Sequence, residues 1–319
     1  MRLIDMHCDT FWLMMRKQGL SLHKNELCID IEKMRAAGSM AQFFASFIHM
    51  SEFDGENAVE EAYRHALDMI AYGKSELAKC SDSITIARNY NELIANNDNG
   101  VMSAILTVEE GGIINGKMEY LEELYRQGIR LITLTWNHEN CIGFPNSRDP
   151  ELMKQGLKPF GIEVVKRMNE LGMIIDVSHL SDGGFWDVIK HSTKPVVASH
   201  SNARALCNHP RNLTDEMIKT LAHKGGVAGV NFYPYFLQEN GKATVEDIAN
   251  HAWHMYQVGG EEFVAIGTDF DGFDEGELDI THIGEMNLVY DAMIKRGFTH
   301  RQMDKILSGN ILRVLQENA

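Results

Sequence analysis

Apolar residues recur along the chain in short runs that close on polar ones. Eight such runs (residues 3–9, 41–48, 103–109, 129–135, 173–179, 195–200, 227–232 and 263–269) are rich in β-branched residues and bounded by turn formers, as buried strands are. Between most of them the apolar spacing changes to a helical period, over 57–79, 117–127, 160–171, 184–191, 215–223 and 245–258. A last stretch, 301–316, carries Met303, Ile306, Leu307, Ile311, Leu312 and Leu315 as one stripe and predicts an amphipathic helix packed on the rest. Strands alternating with helices predict βαβ units and a parallel sheet. Eight of them with no Pro/Gly/Ser linker predict an α/β fold, a (β/α)8 barrel of TIM type, as a single domain over residues 1–319. A doubly wound open sheet is the alternative, but no glycine fingerprint follows any of the strands.

Composition narrows the class. With 44% hydrophobic residues, 27 Gly and only 6 Pro, the 319-residue chain is globular rather than collagenous, low-complexity or disordered. Asp plus Glu outnumber Lys plus Arg by 45 to 30, a net charge of −15, and the acidic residues are scattered. Nucleic-acid binding, which needs clustered cations to displace counterions, is therefore not expected, whereas a local basic pocket for a small anion is compatible. Five cysteines with no CxxC pair exclude a disulfide framework and favour a reducing compartment. Polar residues precede any long apolar stretch at the N-terminus and no apolar tail closes the C-terminus, so no membrane association is expected and the location expected is cytoplasmic.

The chemistry gathers where the strands end. His7 and Asp9 sit two apart at the end of the first strand, so alternation turns both to one side. Other runs close on Glu109, His179, His200 and Asp269. Any one of these could be packing or a helix cap. Six on five strand ends, which a barrel brings together on its C-terminal face, form a site. Imidazole and carboxylate donors suit two borderline divalent ions, zinc before magnesium, and a binuclear site of that kind activates water for hydrolysis.

The chain also resembles the renal (membrane) dipeptidase family, zinc metallopeptidases among the amidohydrolase barrels. The matching pieces run nearly end to end: residues 5–9 (Asp-Met-His-Cys-Asp), 42–44, 108–109, 134–135, 176–179 (Asp-Val-Ser-His), 199–201, 211–212, 231–233, 267–272 (Gly-Thr-Asp-Phe-Asp-Gly) and 309–313. The resemblance implies that His7 and Asp9 bind one zinc, His179 and His200 a second, and Glu109 bridges them. It implies that Asp269 is the general acid/base beside a metal-bridging hydroxide, with Asp271, the weaker candidate, expected to cap the following turn. Arg211 would bind the substrate's C-terminal carboxylate and Tyr233 would lie against the substrate. The function implied is hydrolysis of dipeptides with a free C-terminal carboxylate, and a homodimer is implied as well.

Two departures from the family pattern stand out. Glu110 replaces a glycine after the bridging glutamate, so either member of the Glu109–Glu110 pair could bridge, and the ungapped match over residues 105–109 favours Glu109. Trp136 replaces the histidine that steadies the oxyanion, and His138 is the nearest histidine to take its part. The competing functions are hydrolysis of another bond (a lactone, a phosphoester or ring deamination), which would not require Arg211, and a barrel that binds metal without catalysis.

Overall fold

The computed structural model describes residues 2–17 and 19–318. Its strands are β1 (Leu3–Asp5), β2 (Ser39–Phe47), β3 (Ile84–Ile86), β4 (Met102–Glu109), β5 (Ile129–Thr133), β6 (Ile174–Asp176), β7 (Val197–Ala198), β8 (Val227–Val230), β9 (Lys242–Ala243), β10 (Val264–Ile266) and β11 (Glu277–Leu278). Eight of them, β1, β2, β4, β5, β6, β7, β8 and β10, pair in that order, all parallel, and β10 returns to β1 through Asp5 and Ile266 to close a barrel. β3 extends the sheet outside β4, and β9 with β11 forms a separate ribbon.

The eight barrel strands are those the apolar runs predict, because a strand covered on both faces needs apolar residues throughout. Alternation divides their side chains between two cores. Ile4, Phe43, Ile105, Leu131, Ile174, Val197, Val227 and Ala265 pack inside the barrel, whereas Leu3, Phe44, Leu106, Ile132 and Ile175 meet the surrounding helices. Ile311, Val314 and Leu315 join the inner group, so the C-terminal helix Asn310–Asn318 closes the end of the barrel remote from the site.

The helices Ala58–Lys79, Met118–Arg126, Pro159–Leu171, Asp182–His191, Asp215–His223 and Val245–Gly259 match the helical periods closely. The final stripe differs from a plain helix: Lys305–Gly309 forms a π-type turn between His300–Asp304 and Asn310–Asn318. Buried Asn310 then donates to the carbonyls of Glu261 and Val264, pinning the helix to the start of β10. Among the described residues no helix is long and apolar enough to cross a membrane.

Candidate active site

The strands stop short of the polar residues that close the apolar runs. Glu109 is the last residue of β4, but His7 and Asp9 follow β1, His179 follows β6, His200 follows β7 and Asp269 follows β10. These residues leave the ladder on irregular backbone. His179 (φ 66°) and Asp269 (φ 63°) adopt the left-handed conformation, as do Glu110 (φ 92°) and Asp271 (φ 68°). A side chain there costs of order 1–3 kcal/mol, and such strain concentrates at functional sites.

The result is one buried cluster. His7 Nε2 lies 3.2 Å from Glu109 Oε2, 3.4 Å from Asp9 Oδ2 and 3.7 Å from Asp269 Oδ1. The other Glu109 oxygen, Oε1, lies 2.9 Å from His179 Nε2 and 3.6 Å from His200 Nε2. One carboxylate thus faces two groups of donors, one oxygen to each. His7 Nε2, Asp9 Oδ1 and Glu109 Oε1 are buried without a hydrogen bond, so these donor atoms converge on a common space rather than satisfying one another. The Nε2 atoms of His179 and His200 are 3.1 Å apart, and two nitrogens on one tetrahedral zinc are separated by roughly 3.3 Å. The residues present therefore fit divalent cations.

Electrostatics agree. Burial pushes His7 down, but Glu109 and Asp9 outweigh it and hold its imidazole well above the usual value. A proton there answers the surrounding negative charge, a part that a cation fills more fully. Burial lowers His179 to about 4, with the Arg211 charge adding to it, and carries His200 well below its usual value, so both rings are neutral and able to bind metal. Burial raises Asp9 to about 7. Burial pushes Glu109 up, but the charge on His7 outweighs it and holds the carboxylate well below its usual range.

A second layer orients these groups. Asp176, at the end of β6, accepts from Ser178 N (3.0 Å), Ser199 N (2.8 Å), Ser199 Oγ (2.5 Å) and Thr133 Oγ1 (2.6 Å). Because the Ser199 proton is given to Asp176, Ser199 Oγ accepts from His200 Nδ1 at 2.7 Å. That fixes the tautomer with Nε2 bare. His179 Nδ1 meets Asn137 Oδ1 at 3.1 Å in the same sense. Asp5, raised by burial, accepts from Thr268 N, Thr268 Oγ1 and Gln42 Nε2, each at 2.8 Å, joining β1 to its neighbours beneath His7. Gly272 lies against Asp9 and Asp269, where a Cβ would collide with Asp9 Oδ2 and Asp269 Oδ1.

A family model, membrane dipeptidase (peptidase family M19), matches residues 1–319. The chain belongs to the membrane dipeptidase family. It is 34% identical over 258 residues, 78% of this chain and 91% of the other, to an uncharacterized protein of the pqqA 5′ region of Klebsiella pneumoniae. It is 31% identical over 310 residues, 93% of this chain and 73% of the other, to an uncharacterized dipeptidase of Schizosaccharomyces pombe. Among solved structures, a metallopeptidase described as dipeptidase AC superposes with a TM-score of 0.91 at 25% identity, covering 100% of this chain and 98% of its own. A Rhodobacter sphaeroides metallopeptidase bound to a phosphinate mimic of L-Ala-D-Ala has the same fold, with a TM-score of 0.90 at 24% identity, covering 100% and 99%. The chain is thus a hydrolase of the metallo-dipeptidase class, and its peptidase chemistry is metal-dependent.

In this dipeptidase Asp269 is held by Asn231, whose Nδ2 donates to Oδ2 at 2.9 Å, and burial raises its carboxyl to about 6. Arg211 is buried, donates to Ser201 Oγ (3.3 Å) and His200 O (3.2 Å), and keeps Nε without a partner. Tyr233 joins Asp9, Trp12, Phe47, His49, Glu109, Trp136, Asn137, His179, Phe236 and Asp269 in lining a cavity of about 470 Å³.

Two residues, His138 and Asp271, stand elsewhere than the sequence predicts, while the Glu109–Glu110 pair divides as the sequence favours. Glu110 turns away from the cluster and accepts from Gly112 N (2.7 Å), Trp136 N (3.1 Å) and Asn140 Nδ2 (2.6 Å), so Glu109 alone of the pair faces the histidines. His138 is exposed, meets Ser51 Oγ at 3.2 Å and is not brought to the cavity wall, because the Trp136 ring lies between it and the site. Asp271 does not cap the following turn; it accepts from Thr10 Oγ1 (2.6 Å) and Cys28 N (2.8 Å), since left-handed backbone at 269 and 271 breaks the strand alternation. Asp5, Asp176, Asn231, Asn137 and His49 join the site without a motif that assigns them a role. Carboxylates inside apolar runs at 5 and 176 were the available signal.

Proposed function

We propose that the protein is a binuclear zinc dipeptidase that cleaves dipeptides bearing a free C-terminal carboxylate. The observation that carries the reading is Glu109, with one oxygen toward His7 and the other toward His179 and His200. His7 and Asp9 would hold one ion, His179 and His200 the other, and Glu109 both. Imidazole and carboxylate donors favour zinc. Bound ions supply a water of lowered pKa and a Lewis acid for the scissile carbonyl.

The chain's own groups do the rest. Asp269 takes the proton of the attacking water and returns it to the leaving amine. A carboxyl near 6 suits both halves of that exchange at neutral pH. Asn231 holds Asp269 Oδ2, leaving Oδ1 toward the cluster. Arg211, buried and with Nε free, receives the substrate's carboxylate through a charge-assisted contact. Phe236 lies under its guanidinium at 5.2 Å and Tyr233 packs edge-on to Phe236. His138 has no place in this scheme.

Rates on a dipeptide and on its C-terminal amide test the reading. Arg211→Met should lower kcat/KM on the free acid by about 10- to 150-fold, the worth of a charge-assisted hydrogen bond, and change the amide rate little. Equal losses on both substrates would remove Arg211 from carboxylate recognition.

A further inference from the structure

We infer that His49 is a specificity-determining residue: it donates a hydrogen bond to the polar tip of an aromatic side chain on the substrate's N-terminal residue, so that tyrosine-like N-termini are favoured. The inference rests on the dipeptidase reading and goes beyond it in naming the side chain that the cavity takes.

Barrel order supplies the geometry. β2 and β7 are four strands apart in a ring of eight, so the segments that follow them face each other across the mouth. Arg211 belongs to the β7 side, donating to the carbonyl of His200. A dipeptide with its carboxylate there and its peptide bond at the metal cluster sends its N-terminal side chain toward β2. The cavity wall on that side is aromatic: Trp12, Phe47, His49 and Trp136. Their rings meet edge-on or tilted, Trp12 to Phe47 at 5.4 Å, Phe47 to Trp136 at 4.9 Å and His49 to Trp136 at 4.7 Å between centroids. Such a box takes a flat ring by the same offset and edge contacts.

His49 gives the box a polar point. Its Nδ1 is buried without a hydrogen-bond partner, and the ring lines the cavity. An enclosed N–H without an acceptor is rarer than an enclosed lone pair. The proton therefore belongs on Nε2, which makes the accessible nitrogen a donor toward whatever fills the cavity. Trp136, which stands where the family pattern has a histidine, is the surface against which this ring rests.

The test compares kcat/KM of the metal-loaded enzyme on Tyr-Ala, Phe-Ala, Leu-Ala and Gly-Ala. We expect both aromatic dipeptides to exceed Leu-Ala and Gly-Ala, and Tyr-Ala to exceed Phe-Ala by about 2- to 12-fold, the worth of one neutral hydrogen bond. His49→Phe should bring the Tyr/Phe ratio to about one, whereas His49→Gln, which keeps an N–H donor, should hold it above one. General damage to the fold would not move that ratio. Calorimetric affinities for phosphinate dipeptide mimics bearing the two side chains should show the same ratio and the same response. A wild-type ratio of one, a ratio that survives His49→Phe, or a preference for Gly-Ala or Leu-Ala overturns the inference while leaving a dipeptidase. Failure to cleave any dipeptide overturns the dipeptidase reading and the inference with it.

Discussion

Asp269 and Gly272 show how much of the chemistry depends on single atoms. Asp269 carries a carboxyl raised to about 6 by burial and is gripped through Oδ2 by Asn231. Asp269→Asn keeps the shape and the Asn231 contact but cannot take a proton. It should retain bound metal and lose roughly 10²–10⁴-fold in kcat, as paired metal analysis and steady-state rates would show; an unimpaired variant would move the acid/base role elsewhere. Gly272 is required for a different reason, since a methyl group would push Asp9 and Asp269 from their places. Gly272→Ala should cost about 10²-fold in turnover, the scale of a misplacement of about 1 Å in a catalytic group, with little change in circular dichroism. Full activity in that variant would mean that the two carboxylates need no exact placement. Both positions fall in the run from Gly267 to Gly272, but the sequence does not show the reason for the glycine, which is close contact with Asp9 on the neighbouring strand's loop and with Asp269 in its own turn.

Elements explain which parts of the site could be read in advance. The eight barrel strands were legible because both of their faces are buried, and the six metal and acid/base candidates because each closes an apolar run. The ends were less so: β1 stops at Asp5 and β6 at Asp176, since His7, Asp9 and His179 need irregular backbone to aim inward. The oxyanion role placed on His138 depended on the path of the loop after β5. That path is set by Glu110 gripping Trp136 N and Asn140, a pairing with no periodicity to betray it. His49 carries the same signal as His200, a histidine after an apolar run. Loop support also has a pH signature. His251, on helix Val245–Gly259, accepts from Ala203 N (3.2 Å) and bonds Leu237 O (3.1 Å), tying the loops after β7 and β8 to that helix. Burial lowers it to about 4, against about 6.5 when unfolded. The unfolded chain thus binds the extra proton between these values, and stability that is full above pH 6.5 is lost as pH falls toward 4, by up to about 3 kcal/mol. His251→Gln, which can keep both hydrogen bonds, should flatten that decline in urea titrations at stepped pH. Parallel curves for the two proteins would remove His251 from the acid response.

At the scale of the molecule, the closed barrel brings side chains from distant parts of the chain together, His7 Nε2 to 3.7 Å from Asp269 Oδ1, in a space closed on the far side by Ile311, Val314 and Leu315. Three carboxylates and three imidazoles held there with unsatisfied donor atoms are costly to bury unless a cation pays that cost. Metal binding and fold stability are therefore linked, and ligand at about 1,000 times its Kd would add roughly 4 kcal/mol. The central claim is that this cluster holds two divalent ions with Glu109 shared between them. The most direct measurement is the metal content of the purified protein by mass spectrometry, for the wild type and for His179→Ala. Two ions per chain in the wild type and about one in the variant are predicted. A wild-type protein that contains no bound metal and cleaves dipeptides at a rate indifferent to chelators would contradict the account.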